Sequence, residues 1–517
     1  MSAGKDGGRI AAVIFDMDGV VTDTADAHFA AWKQVFDAVL EAHGDDAPFT
    51  REDYLAHVDG IPRHDGVRRF LSARGIGLPE GEEDAEDLGS VRGIANRKNR
   101  SFRDRLDEHR VPVFDDAREL IDGLKRNGIR VGVFSASRNA PQVLESAGIA
   151  QVFDATVGGG EAEKLALAAK PAPDQLEEVA RRLGCAPAEA AVLEDAVAGV
   201  QAGAAGRFGL VIGVDRQDDA GRHRHALRSN GADIVTRDLR QLCLPEGGGL
   251  RTLDRLPLVW DRLDEVRERL GRQPPAVFLD FDGTLSPIVA DYRAASLPET
   301  TRAAVARLAE HCPVAVISGR DLADVRARVG LEDVIYAGSH GFDIAGPDGL
   351  KERPDEADRF LRPIAEAEAA LREALSGIAG ADLERKTFSL AVHYRRADEA
   401  AVAEIEDAVD RVLGDHRLLR KGRGKKVLEI QPRADWDKGR AVVWLLSHTR
   451  LGKGGALPVY LGDDLTDEDA FAAIGRDGLC VAVRGEARAT LAELALADPE
   501  DVCRFLDWLS EAATSTP

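Results

Sequence analysis

Two short acidic motifs carry side chains that could do chemistry. Asp16 and Asp18 lie in FDMDG, and Asp280 and Asp282 lie in LDFDG. Each motif is followed by a serine, a lysine and an acidic pair, in the same order: Ser135, Lys170 and Glu194-Asp195 after the first, and Ser318, Lys438 and Asp463-Asp464 after the second. One carboxylate can act as a nucleophile and a second as acid and base, while a hydroxyl and an ammonium hold phosphate oxygens. These residue types predict phosphoryl transfer at two sites.

The acids of both sets could also hold a divalent cation. Carboxylate oxygens are hard ligands, which favour Mg²⁺. A calcium loop is the alternative for a D-x-D-G motif, but DFDGTLSPIVAD lacks the spacing of acids and the closing Glu of such a loop. We therefore predict Mg²⁺ as the cofactor, with these candidate ligands: Asp16, Asp18, Glu194 and Asp195 in the first set, and Asp280, Asp282, Asp463 and Asp464 in the second.

Each acidic motif directly follows an apolar run, AAVIF in one case and AVFL in the other. Such runs are typical of strands buried on both faces of a parallel sheet. Further runs of this kind alternate with helical periodicity along both halves, which predicts two doubly wound α/β domains. The motifs then lie at the carboxyl ends of strands, where open α/β sheets bind ligands.

Unequal intervals between the repeated motifs predict an inserted cap in each copy. The long interval separates Asp16 from Ser135 in the first copy, but Ser318 from Lys438 in the second. We expect a helical cap over about 24–108 and a mixed α/β cap over about 342–432. Caps exclude water and select substrates. The expected domains are 1–240 and 276–512, joined by a linker at 241–275 that is rich in glycine and proline.

Composition narrows the range of partners. The formal net charge of −22 argues against nucleic acid and anionic membranes as partners. The densest basic run, residues 420–426, is interpreted as a solvated hairpin turn, and His223 and His225 as surface residues. The five cysteines form no C-x-x-C pair, and no apolar run is long enough for a signal or a membrane span. These features predict a cytoplasmic protein, and they assign no oligomeric state.

The ordered motifs resemble those of the haloacid dehalogenase superfamily of aspartate-nucleophile phosphotransferases, twice over. The C-terminal half resembles trehalose-6-phosphate phosphatases in LDFDGTLSPI, ISGRDLADV, YAGSHGFDI, SLAVHYR, VLEIQPRADWDKG and LGDDLTDEDAF. The N-terminal half resembles β-phosphoglucomutases in FDMDGVVTDTADAHFAAW, VDGIPRHDGV, KPAPD and LEDAVAGVQAG. The resemblance covers nearly the whole chain apart from the predicted linker.

The first resemblance implies a phosphatase that releases trehalose from trehalose 6-phosphate. Asp280 would carry the phosphoryl group, and Asp282 would protonate the leaving oxygen and then activate water. Ser318 and Lys438 would hold phosphoryl oxygens, and Asp463 would bind Mg²⁺ with Asp280 and the Asp282 carbonyl. The positions expected to bind the sugar phosphate are Arg320, His340, Gly341, Glu384, Lys386, His393, Arg395 and Glu429. We expect His393 and Arg395 to share one face of a strand.

The second resemblance implies a phosphoryl group on Asp16, acid and base catalysis by Asp18, and a distal phosphate bound by Arg63. Ser135 and Lys170 complete this predicted site. One departure is Ala169, which stands where a glycine is expected before the lysine. Three interpretations stay open for this half: a β-phosphoglucomutase, a sugar-phosphate phosphatase, or a non-catalytic regulatory or assembly module.

Overall fold

A computed structural model describes residues 10–58, 63–108, 110–217, 222–243, 250–289, 292–353, 357–424, 426–434, 436–485 and 488–514. The chain divides into two compact units, Met1–Arg216 and Gln217–Pro517. The predicted first domain, 1–240, extends beyond this boundary by the segment 217–240. The helix at 222–229 explains this, because its arginines bond to backbone carbonyls near residue 467.

Helices and strands alternate along most of the chain. The helices are α1 (Ala25–Ala42), α2 (Arg51–His57), α3 (Arg63–Ala73), α4 (Val91–Glu108), α5 (Asp115–Arg126), α6 (Ala140–Ser146), α7 (Gly159–Lys164), α8 (Asp174–Leu183), α9 (Val197–Ala205), α10 (Arg222–Ser229), α11 (Leu263–Arg272), α12 (Glu299–His311), α13 (Leu322–Val329), α14 (Leu361–Ala374), α15 (Glu399–Gly414), α16 (Lys438–His448), α17 (Glu468–Ile474) and α18 (Pro499–Thr514). The strands are β1 (Ala12–Asp16), β2 (Arg130–Phe134), β3 (Ala155–Val157), β4 (Ala190–Glu194), β5 (Leu210–Val214), β6 (Ile234–Thr236), β7 (Pro275–Leu279), β8 (Val314–Ile317), β9 (Ile335–Gly338), β10 (Asp343–Ala345), β11 (Lys351–Glu352), β12 (Asp382–Arg385), β13 (Leu390–His393), β14 (Leu419–Gly424), β15 (Val427–Pro432), β16 (Leu457–Gly462), β17 (Leu479–Val483) and β18 (Leu494–Leu496).

In the first unit, parallel strands run in the order β3-β2-β1-β4-β5. The central strand β1 pairs Phe15 with Val133 on one side and with Leu193 on the other. All of β1 is buried, as its unbroken apolar run requires. The carboxyl ends of β1, β2 and β4 therefore meet at one edge of the sheet.

Helices α1 to α4 form the predicted helical cap of this unit. Their apolar faces meet in an aromatic core in which Phe36 lies 4.2 Å from Phe70 between ring centroids and 4.9 Å from Trp32. Such clusters hold short helices that would be marginal alone. Residues 59–62, part of the second quoted motif of this half, lie outside the described residues.

The second unit has an eight-stranded sheet with the order β11-β10-β9-β8-β7-β16-β17-β18. Six strands are parallel, and β10 and β11 extend the edge in antiparallel fashion. Phe278 of β7 pairs with Ala315 on one side and Tyr460 on the other. Two parallel-sheet α/β units confirm the predicted fold class.

The cap of the second unit is a four-stranded antiparallel sheet, in the order β12-β13-β15-β14, with helices α14 and α15. Leu371, Leu390, Ile405 and Ile430 belong to its apolar core. The mixed α/β cap is thus confirmed. The expectation that His393 and Arg395 share one face of a strand is wrong. Strand β13 ends at His393, and Arg395 lies in the turn that follows.

The segment predicted as a linker packs into the second unit instead. Val259, Val266 and Leu270 belong to its apolar core, and the Trp260 indole N–H donates to Asp501 Oδ1 at 2.8 Å. The glycines and prolines that suggested a linker flank an amphipathic helix, α11, whose apolar side needs a partner. Residues 244–249 of the predicted linker lie outside the described residues. Among the helices in the described ranges, none is long and apolar enough to cross a membrane.

Candidate active sites

A buried ion pair joins the end of β7 to the start of α16 in the second unit. Asp280 follows β7, and its backbone N–H donates to the carbonyl of Leu461 at 2.9 Å. Lys438 is the first residue of α16, and its Nζ lies 2.7 Å from Asp280 Oδ1. The exposed fractions are 5% for Asp280 and 3% for Lys438. A lysine this deeply buried needs anionic partners.

Asp467 is a second partner of this lysine and was missed by the sequence analysis. Its Oδ1 accepts hydrogen bonds from Lys438 Nζ and from the Tyr460 hydroxyl, each at 2.7 Å. Its Oδ2 accepts from the backbone N–H of Asp464 at 2.9 Å. The spacing D-x-x-D in GDDLTDEDAF is that of a capping box, which indicates a turn at this point but not which acid reaches the lysine.

Three carboxylates lie close enough together to hold a cation. Asp280, Asp463 and Asp467 are buried, and each offers one oxygen within 4.8 Å of the others. Gly283 packs against this cluster with φ +86°, and a Cβ there would lie 2.2 Å from Asp463 Oδ2. The hard oxygens and the burial fit Mg²⁺.

Two of the predicted metal ligands have other partners. The side chain of Asp464 accepts from the N–H of Leu465 at 2.8 Å and starts the 3₁₀ turn Leu465–Asp467. That turn brings Asp467 to the cluster in place of Asp464. The carboxylate of Asp282 lies outside the cluster and binds Arg320, and binding of Mg²⁺ by its backbone carbonyl stays a prediction.

Burial and charge shift the pKa values of this group. Burial raises the pKa of Asp280 well above its ordinary value, with Lys438 opposing the shift and Asp467 adding to it. Burial disfavours the Lys438 ammonium, but attraction to Asp280 and Asp467 raises the pKa of Lys438 well above its ordinary value. The site therefore stabilises the charged form of Lys438, and a further positive charge would stabilise the ionised form of Asp280.

Arg320 grips the second aspartate of the motif. Its Nε donates to Asp282 Oδ2 and its Nη2 donates to Asp282 Oδ1, each at 2.7 Å. Its Nη1 donates to Asp324 Oδ2 at 3.0 Å. Such a two-pronged pair fixes the orientation of both groups. Ser318 is buried beside it, and its Oγ accepts from the backbone N–H of Arg320 at 3.1 Å.

The turn Ser339–Gly341, directly after β9, connects the carboxyl edge of the sheet to α16. His340 donates its backbone N–H to the carbonyl of Ser318 at 2.8 Å and has a φ of +58°. Gly341 has a φ of +93°, and a Cβ there would lie 2.4 Å from the Cβ of Ala441 on α16. The Ser-His-Gly turn therefore lies directly against the helix that carries Lys438.

Five of the predicted sugar-binding residues make two sets of contacts. In the first group, Glu429 of β15 lies 3.0 Å from His340 Nε2 and 3.4 Å from Lys386 Nζ. Burial raises the pKa of Glu429, but attraction to these two neighbours and their hydrogen bonds hold it below the ordinary value. In the second group, His393 Nε2 lies 2.8 Å from Glu384. The first group joins cap to core, because Lys386 and Glu429 are cap residues and His340 is not.

The first unit repeats the ion pair at the end of β1. Lys170 Nζ lies 2.5 Å from Asp16 Oδ1 and 2.8 Å from Glu194 Oε2. Burial and the nearby Asp16 raise the pKa of Glu194 to about 8. Although the predicted glycine is replaced by Ala169, the lysine still reaches both carboxylates.

The acidic cluster of the first unit contains Asp16, Glu194 and Asp195. Asp18, also predicted as a ligand, lies outside it: its oxygens accept from Thr24 Oγ1 at 2.5 Å and from Ser135 Oγ at 3.3 Å. Burial and the charge of Asp16 raise the pKa of Asp18 to about 6.

Positive side chains of the helical cap lie close together. Arg63 begins α3, and Lys98 of α4 is buried with its Nζ 2.6 Å from His28 Nδ1. Burial, with Arg63 nearby, lowers the pKa of Lys98 to about 7. Lys98 was not among the predicted site residues, because a lysine in a helix normally indicates an exposed face.

Comparison with known proteins agrees with this division. Residues 278–500 match the trehalose-phosphatase family, and residues 10–207 match the haloacid dehalogenase-like hydrolase family. An uncharacterized glycosyl hydrolase of Mycobacterium tuberculosis (strain ATCC 25618 / H37Rv) is 40% identical over 510 residues, 96% of this chain. The chain spans only 38% of the length of that relative.

A second relative is matched over nearly its whole length. The trehalose-phosphate phosphatase of Mycobacterium bovis (strain BCG / Pasteur 1173P2) is 42% identical over 410 residues, which is 78% of this chain and 94% of that protein. Among solved structures, a β-phosphoglucomutase from Clostridium difficile is 27% identical with a TM-score of 0.35, covering 45% of this chain and 93% of that one. The chain therefore belongs to the trehalose-phosphatase family, with a haloacid dehalogenase-like hydrolase domain preceding its trehalose-phosphatase domain.

Proposed function

We propose that the second unit hydrolyses trehalose 6-phosphate to trehalose and phosphate through an aspartyl-phosphate on Asp280. The observation that carries the proposal is the buried Asp280–Lys438–Asp467 arrangement at the carboxyl edge of a parallel sheet. Membership of the trehalose-phosphatase family, with relatives named trehalose-phosphate phosphatase, supports the choice of substrate.

In the proposed reaction, each of these side chains has one role. Asp280 attacks phosphorus through its carboxylate, and the bond between phosphorus and the sugar oxygen breaks. Asp282 gives a proton to the leaving sugar oxygen. Asp282 then takes a proton from water, which attacks phosphorus and releases phosphate and the free Asp280 carboxylate. Lys438 and Ser318 hold phosphoryl oxygens during both steps.

Asp282 must leave Arg320 for part of this cycle. The two-pronged pair at 2.7 Å occupies both carboxylate oxygens of Asp282, so neither oxygen is available to the leaving sugar oxygen or to water while the pair persists. A phosphate dianion is a strong competing partner for a guanidinium. We propose that the substrate phosphate draws Arg320 away and frees Asp282 to carry a proton.

The acidic cluster fits a divalent cation, and we propose Mg²⁺ with Asp280, Asp463 and Asp467 as protein ligands. When bound, Mg²⁺ neutralises phosphoryl oxygens and lowers the cost of an ionised, buried Asp280. The cap supplies polar groups for a disaccharide. Lys386 and Glu429 offer a donor and an acceptor beside His340, which suits hydroxyl groups.

Phosphate release from a panel of sugar phosphates tests the proposal. The full chain, with Mg²⁺, is expected to release phosphate from trehalose 6-phosphate faster than from glucose 6-phosphate. Asp280→Asn should abolish this activity, whereas the matched variant Asp16→Asn should retain it. A phosphoryl group located on Asp280 by mass spectrometry after an acid quench would identify the covalent intermediate. Full activity of Asp280→Asn would refute the assignment.

A specific observation favours a second reaction at Asp16. Lys170 joins Asp16 and Glu194 in the first unit much as Lys438 joins two carboxylates in the second. The positive groups of the cap, among them Arg63 and Lys98, suit a substrate with a second phosphate. We propose a sugar-phosphate mutase or phosphatase here, with the superfamily match over 10–207 as support.

Conversion of β-glucose 1-phosphate to glucose 6-phosphate by the full chain tests this second activity. The Asp280→Asn variant should retain it and Asp16→Asn should lose it. If phosphate is released instead of glucose 6-phosphate, the first unit is a phosphatase. If neither product forms and Asp16 takes up no phosphoryl group from a donor, the first unit is a non-catalytic module.

A further inference from the structure

Helix α10 holds two arginines against the turn that carries Asp467. Arg224 donates to the backbone carbonyl of Asp469 at 2.8 Å, and Arg228 donates to the carbonyl of Leu465 at 3.3 Å. These two carbonyls lie two residues after and two residues before Asp467. The arginines therefore contact both sides of the turn whose central carboxylate binds the active-site lysine.

The side chain of Asp469 strengthens the same contact. Its Oδ1 lies 3.5 Å from Arg224 and 3.6 Å from Arg228, and only 6% of Asp469 is exposed. A buried carboxylate is stabilised by such cations and would be costly without them. Arg228 is also anchored within its own segment, since it donates to the carbonyls of Ala232 at 3.0 Å and of Asp233.

The other side of this turn touches the helix that carries Lys438. A Cβ added to Gly439 would lie 2.2 Å from the carbonyl oxygen of Asp469, so the first turn of α16 approaches that backbone closely. Asp469 and Lys438 also line one cavity together with His340. A displacement of the turn would thus shift Asp467 and α16 together.

We propose that α10 is a positioning element of the phosphatase site. Arg224 and Arg228 hold the turn at 465–469 so that Asp467 keeps Lys438 aligned with Asp280. This inference rests on the proposed phosphatase function of the second unit. It makes the reaction depend on residues before the matched trehalose-phosphatase region, which begins at residue 278.

The test uses the full chain with Arg224→Ala, Arg228→Ala and the double variant. Arg222→Ala is the matched control, because Arg222 is an exposed arginine on the same helix. A small misplacement of catalytic groups slows the chemical step, so we expect kcat of the double variant to fall roughly tenfold to a hundredfold. KM for trehalose 6-phosphate should change by less than about twofold, because the sugar-binding cap is untouched.

Two further measurements separate positioning from a loss of folded protein. Activity toward p-nitrophenyl phosphate, which lacks the sugar, should fall by the same factor as activity toward trehalose 6-phosphate. Arg228→Lys keeps a donor and a positive charge, so it should recover part of the lost kcat. Circular dichroism and thermal unfolding should show that each variant is fully folded at the assay temperature.

The outcomes distinguish this inference from the proposed function. If the wild type hydrolyses both substrates and the double variant keeps its kcat, the inference about α10 is wrong. A raised KM with unchanged kcat overturns it as well, since α10 would then act on sugar binding. If the wild type hydrolyses p-nitrophenyl phosphate but not trehalose 6-phosphate, the proposed substrate is wrong, and the p-nitrophenyl phosphate kinetics of the variants still decide the role of α10.

Discussion

Lys98 carries a charge that the folded first unit accommodates poorly. It is 5% exposed, its Nζ lies 4.7 Å from the centre of the Phe102 ring, and its hydrogen-bonding partner is His28 rather than a carboxylate. Burial, together with the charge of Arg63, lowers its pKa from 10.5 to about 7. Replacing it by methionine keeps much of its apolar volume and removes the titrating group.

The sign and size of the effect follow from linkage. Between pH 7 and pH 10, the unfolded chain binds the Lys98 proton and the native protein does not, so stability rises with pH. At about 1.36 kcal/mol per pH unit, the three units of this window amount to about 4 kcal/mol. The Lys98→Met variant should lack this rise. We therefore expect it to be more stable than the wild type at pH 7, with the difference decreasing by about 4 kcal/mol by pH 10.

Urea unfolding at pH 7, 8, 9 and 10 measures this difference. Trp32 is the single tryptophan in residues 1–216 and lies in the same cap core, so its fluorescence reports on the first unit. A Trp32→Phe reference assigns the transition. Lys33→Met is the matched control, since Lys33 is more than one-third exposed and pairs with Asp37. A stability difference between wild type and Lys98→Met that stays constant across this pH range would refute the reasoning.

Three further predictions concern the second unit. Lys438→Met leaves buried carboxylates without their cation and should destabilise the unit by about 3–5 kcal/mol, measured by urea unfolding, with partial recovery when Asp467→Asn is added. Gly283→Ala should abolish phosphate release because its Cβ would meet Asp463, whereas Gly349→Ala, at a similar positive φ in open space, should cost only about 1–2 kcal/mol of stability and keep activity. Mg²⁺ at a hundred times its Kd should stabilise the unit by about 2.7 kcal/mol in thermal unfolding, and Asp463→Asn should lose that gain.

Much of both sites could be predicted because it depends on parallel strands. Continuous apolar runs indicated strands buried on both faces, and parallel strands bring their carboxyl ends to one edge. The two lysines were predicted from their order along the chain, and both contact the first aspartate of their motif. The positions of the caps were predicted from interval lengths, which need no knowledge of packing.

Other features depend on local geometry that a residue pattern does not determine. Asp464 and Asp467 are both acids near the end of β16, and a 3₁₀ turn decides which of them reaches the cluster. The region around α11 has the composition of a linker, yet the apolar face of that helix packs into the core. Lys98 was missed because its burial results from four helices packing together, not from its neighbours in sequence.

The pairing of β7 has a consequence for the order in which the chain folds during synthesis. Phe278 needs Tyr460 beside it, about 180 residues later, whereas in the first unit β1 finds β4 within about the same span and entirely before residue 200. Domains tend to fold as they emerge from the ribosome, and distant strand pairing is slow. The first unit can thus be complete while β7, paired on one side with β8, still lacks its second neighbour β16. Until β16 is synthesised, the open edge of β7 leaves the nascent second unit exposed to wrong strand pairing.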